Sequence, residues 1–126
     1  MKYEHLSDFT RGYIDAIFFT ETGPDNPEFD DYGFYDFAPE TLTRIIEDCA
    51  GFQMSNKRLL EKADQASEGG YTDEQAGHDL WLTRNRHGAG FWDRGLHDVG
   101  EAITEKAHNM GELSLVLGDD RKLYLE

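Results

Sequence analysis

The chain reads as an α+β protein: a single compact domain of about four helices, closed by a small C-terminal antiparallel β-hairpin. Three observations predict this. Apolar residues recur every three or four positions through most of the chain, whereas the last fourteen residues alternate at period two. At 126 residues the chain matches one domain in length. Its 13% aromatic content argues against disorder, despite a mean hydropathy of -0.70.

The elements follow in order. Ser7 is a good N-cap for a first helix, whose apolar face is Phe9, Tyr13, Ile14, Ile17 and Phe18. Gly12 lies inside it and weakens it by about 1 kcal/mol relative to alanine. Residues 21–38 form a loop punctuated by Gly23, Pro24, Pro27 and Gly33. Five aromatics, Phe29, Tyr32, Phe34, Tyr35 and Phe37, favour its folding back on the core.

Pro39 suits the first turn of a second helix with the stripe Leu42, Ile45, Ile46, Cys49 and Phe52, which Leu59, Leu60 and Ala63 extend past Gly51. A third helix opens on the capping pattern Thr72-Asp73-Glu74-Gln75 and runs to about Thr83. Gly88-Ala89-Gly90 breaks the chain. A fourth helix starts near Leu96, points Val99, Ile103, Ala107 and Met110 inward, and ends on Gly111. Leu113, Leu115 and Leu117 then alternate, Gly118-Asp119-Asp120-Arg121 turns, and Leu123 and Leu125 alternate again.

Charge narrows the function classes. A formal net charge of -14 repels phosphate, so direct duplex DNA binding is not expected. No apolar run reaches membrane-spanning length and the start lacks a signal peptide, so the expected location is cytoplasmic, away from membranes. The one cysteine, Cys49, lies on a core stripe, which predicts a buried thiol rather than a disulfide or a nucleophile.

Chemistry concentrates in residues 76–95, Ala-Gly-His-Asp-Leu-Trp-Leu-Thr-Arg-Asn-Arg-His-Gly-Ala-Gly-Phe-Trp-Asp-Arg-Gly. Both tryptophans, two of the five histidines, three arginines and four glycines fall there. His78, Asp79, His87, Asp93 and His97 are acceptable metal ligands, but their spacings match no standard zinc pattern, so neither metal nor cofactor is expected. Arg84, Arg86 and Arg94, with glycine amides at 88 and 90, could hold a phosphate or carboxylate. The competing reading pairs these arginines with carboxylates of the same chain. Trp81 and Trp92 could stack on a ligand, but large aromatics flanking a glycine turn are more often core, and burial of both is expected. His87 or Asp79 could serve as a general base, although no second member of a catalytic pair is identifiable.

The second candidate is the 21–38 loop. It holds six carboxylates, among them Asp25, Glu28, Asp30, Asp31 and Asp36, and no Lys or Arg. Such a surface could dock on a basic patch or simply stay solvated.

The 76–95 segment closely resembles a stretch in a group of short tailed-bacteriophage proteins, Ala-Gly-His-Asp-Phe-Trp-Leu-Thr-Arg-Asn-Gly-His-Gly-Ala-Gly-Phe-Trp-Asp-Arg-Gly. Leu80 stands where those have phenylalanine and Arg86 where they have glycine. The Arg86 departure speaks against a strict need for a left-handed glycine there. A looser likeness covers Asp36-Phe37-Ala38-Pro39-Glu40-Thr41 and Leu117-Gly118-Asp119-Asp120. The resemblance carries over no activity, but it implies a phage-encoded protein working in the cytoplasm of an infected bacterium.

Two function classes follow. The first is a non-catalytic accessory protein that binds a host protein with a basic surface, such as a nucleic-acid-handling or defence factor. The alternative is a small enzyme or ligand-binding protein that uses His78, Asp79, Trp81, Arg84, Arg86, His87, Trp92 and Arg94 on a phosphorylated small molecule. A structural or assembly role is the third.

Overall fold

The computed structural model describes residues 1–126, apart from the side chain of Asp93. Its helices are α1 (Asp8–Glu21), α2 (Pro39–Ser55), α3 (Lys57–Ala66), α4 (Asp73–Arg84) and α5 (Asp98–His108), followed by strands β1 (Leu115–Leu117) and β2 (Leu123–Leu125). This is the expected α+β domain with one helix more than expected. The second stripe divides at Asn56, which is buried and whose side-chain amide donates to the Phe52 carbonyl at 3.0 Å. An asparagine that bonds backbone in this way competes with helix continuation, so α2 and α3 meet at a bend.

Helix starts follow the capping residues. The Ser7 hydroxyl accepts from the Thr10 amide and the Thr72 hydroxyl from the Gln75 amide. The two capped helices, α1 and α4, form the centre of the molecule. They approach closely because each has a glycine at the contact. A Cβ on Gly12 would lie 2.0 Å from the Glu74 carbonyl oxygen, and one on Gly77 would lie 1.8 Å from that of Phe9. Phe9, Tyr13, Ile14, Ala16 and Ile17 of α1 pack into the core with Leu80 and Trp81 of α4.

The 21–38 loop does fold back. Two short 3-10 turns, Pro27–Phe29 and Phe34–Asp36, bury Phe29 and Phe37. Phe37 also bridges β2 at Leu123, and the Ala38 amide donates to the Leu123 carbonyl at 3.0 Å. The expected antiparallel hairpin pairs Leu115 with Leu125, Val116 with Tyr124 and Leu117 with Leu123. Its leucines at 115, 123 and 125 face the core. Cys49 is buried too, and burial pushes its thiol up to about 12, which keeps it protonated and unreactive. Among the described residues, no helix is long and apolar enough to cross a membrane.

Candidate functional site

The 76–95 segment folds around two arginines that bind carboxylates of the same chain, Arg84 buried and Arg94 reaching in from the surface. Asp79, on α4, is completely buried. Arg94 grips it with two parallel bonds, Nε to Oδ2 at 3.0 Å and Nη2 to Oδ1 at 2.8 Å. The Tyr71 hydroxyl donates to Oδ2 as well, and the Tyr71 amide donates to Asp64 of α3 at 2.7 Å. One carboxylate thus ties the chain entering α4 to the turn that leaves it. The paired geometry of guanidinium and carboxylate makes this a strong, directional contact.

Arg84 closes the other end of α4 and is only 1% exposed. Its Nε donates to the Gly111 carbonyl at 2.8 Å and its Nη2 to the Met110 carbonyl at 3.0 Å. Nη1 reaches the Tyr13 hydroxyl at 3.1 Å and Asp48 Oδ2 at 3.2 Å. These bonds fasten α1, α2 and the turn that follows α5 to α4. Burial drives the Tyr13 phenol well above its ordinary range, so it stays neutral and accepts from the guanidinium. Next to Arg84, the Asn85 side chain accepts from the Leu113 amide at 2.7 Å and donates to the Trp81 carbonyl.

The glycine turn is equally structural. Gly90 adopts a φ of +134°, and a Cβ there would lie 2.1 Å from the Thr83 hydroxyl. That hydroxyl accepts from the Phe91 amide, and Phe91 is buried against Phe52 and Tyr71. Trp81 is fully buried, its indole N–H donating to the Thr20 hydroxyl and its ring meeting Tyr13 edge-on.

One expectation needs correction. Trp92 is 56% exposed rather than buried, because the 3-10 turn Phe91–Asp93 has room in the core for one aromatic and Phe91 takes it. Trp81→Ala should therefore cost about 3–5 kcal/mol, whereas Trp92→Ala should stay within about 1 kcal/mol, as urea midpoints will show. Arg86 adopts a left-handed φ of +55°, so the backbone there does not strictly need a glycine, as its sequence position implied. The position still suits a glycine, and arginine carries some backbone strain there.

Of the remaining candidates, Arg86 and His87 are exposed, and His78 is half-buried with its ring 6.0 Å from that of Phe19. Among the described residues, no group of three or more His, Cys, Asp or Glu side chains could hold a metal ion. Reading the sequence missed Tyr71, Asp48, Asn85 and Tyr13, which hold Asp79, Arg84 and the α4 end. They lie up to 71 residues from their partners, and no spacing rule links them.

The acidic loop has the opposite character. Asp25, Glu28, Asp30 and Asp31 are exposed, and no ion pair among the described residues involves them. Asp36 instead accepts from the Gly33 amide at 2.8 Å and shapes the second 3-10 turn. Tyr35 projects beside it, 71% exposed and edge-on to Phe34. Comparisons with protein-family models, curated proteins and solved structures find no match to this chain.

Proposed function

We propose that the protein acts by non-catalytic binding, with the acidic loop docking on a basic face of a partner protein. One observation carries this reading. The motif's Arg84 and Arg94 are held on internal carboxylates, while Asp25, Glu28, Asp30 and Asp31 stand in solvent without an internal cation. Exposed Tyr35 adds an aromatic of the kind that enriches protein interfaces. The likeness of residues 76–95 to tailed-phage proteins suggests that the partner belongs to a bacterial host and is a nucleic-acid-handling or defence factor of its cytoplasm. The alternative, a site for a phosphorylated small molecule, retains Arg86 and His87 as exposed groups of its segment.

The test begins with a partner captured from bacterial lysate. Changing Asp25, Glu28, Asp30 and Asp31 to their amides should slow its association by roughly tenfold or more at low salt. The difference should fade above roughly 0.5 M salt, as screening shortens the reach of exposed charges. Unchanged association, with the fold intact, would remove the loop from the interface.

A further inference from the structure

A second surface lies away from the acidic loop. Residues of α2, α3 and the start of α4 wall a trough of about 830 Å³. From α3 come Lys57, Leu60, Glu61 and Asp64, one stripe at intervals of three and four. That stripe is roughly 10 Å long at 1.5 Å per residue, or two helical turns. Ala50, Gln53 and Met54 of α2 form a second stripe with the same periodicity, and Thr72, the N-cap of α4, and Ala76 form a third wall. Tyr71 and Ala76 are buried, Leu60 is half-buried, and Met54 is 82% exposed at the rim.

The walls dictate what fits. All three are helices, whose backbone groups are bonded internally, so an added β-strand has no edge to pair with. Ridges at intervals of three and four accept the side chains of another helix. A long, polarisable methionine adapts to varied apolar partners. The rim carries Glu61, Asp64 and Asp73 against the single cation Lys57. The complementary surface is an apolar stripe flanked by lysine or arginine.

We propose that this trough docks an amphipathic, cationic α-helix of a partner protein. Two or three turns of that helix would lay apolar side chains on Met54, Leu60 and Tyr71, while its flanking cations meet Glu61 and Asp73. The site goes beyond the acidic loop and does not depend on it.

The test uses a synthetic leucine–lysine amphipathic peptide of roughly 16 residues, long enough to form a helix, and a scrambled peptide of the same composition. Binding is followed by fluorescence anisotropy and by amide chemical shifts of the full chain. The ordered peptide should bind at least about tenfold more tightly than the scrambled one, a difference of about 1.4 kcal/mol. Its shifts should centre on residues 50–76. Met54→Lys with Glu61→Lys, both at exposed helix positions, should weaken it by about tenfold or more. The four amide substitutions in the acidic loop should leave its affinity within about twofold, which separates this site from the loop's own function. Equal binding of both peptides, shifts centred on residues 25–36, indifference to the Met54/Glu61 variant, or no binding would each overturn the proposal.

Discussion

Gly77→Ala should cost at least about 3 kcal/mol and lower the melting temperature by roughly 10 °C or more, and Gly12→Ala should do nearly the same. The added methyl of the first meets the Phe9 carbonyl oxygen at 1.8 Å, and that of the second meets the Glu74 carbonyl oxygen at 2.0 Å. Both obstacles are backbone atoms inside helices, so neither can swing aside as a side chain would. Relief requires α1 and α4 to separate, which would loosen the packing around Tyr13 and Trp81. Gly51→Ala is the matched control, because nothing lies within 4 Å of its Cβ position and it sits in the exposed run of α2. That change should stabilise the protein by about 0.5–1 kcal/mol. Thermal melts of the three variants should therefore move in opposite directions.

The second large effect is at Arg84. Arg84→Met keeps most of the buried volume but removes every guanidinium donor. It leaves the Met110 and Gly111 carbonyls and the Tyr13 hydroxyl without their donor, and leaves Asp48 only the longer contact with Arg44 at 3.8 Å. Each acceptor left without its donor in a buried setting costs about 1–3 kcal/mol, so the variant should lose about 3 kcal/mol or more. Arg84→Lys should rescue little, because one ammonium cannot reproduce a planar fork aimed at three elements. Urea midpoints for both variants should fall together. A lysine variant as stable as the parent would show that charge alone suffices there.

Local signals made much of the fold legible. Ser7, Thr72 and the leucine alternation around Gly118 act within a few residues, and each marks its helix or hairpin correctly. The bend at Asn56 was less visible, since the apolar stripe runs through it and only a side-chain bond to Phe52 divides the helix. The site was half legible. Clustered arginines and glycines marked 76–95 as demanding, but the partners of Arg84 come from α1, α2 and the turn after α5. Long-range pairing has no period in a single sequence. Trp92 failed for a related reason: periodicity identifies an apolar residue, not which of two adjacent aromatics the core has space for.

The central claim is that Arg84 and Arg94 of the 76–95 segment hold the fold and are not kept free for a ligand. Equilibrium urea unfolding of the parent, Arg94→Met, Asp79→Asn and the double variant tests it most directly. Arg94→Met alone leaves a fully buried carboxylate without its guanidinium and should cost about 3 kcal/mol. In the Asp79→Asn background the same change should cost far less, giving a coupling of about 2 kcal/mol or more. Coupling within about 0.5 kcal/mol of zero would mean that the two side chains act independently. Arg94 would then be free to meet a ligand, and the segment would be a binding site after all.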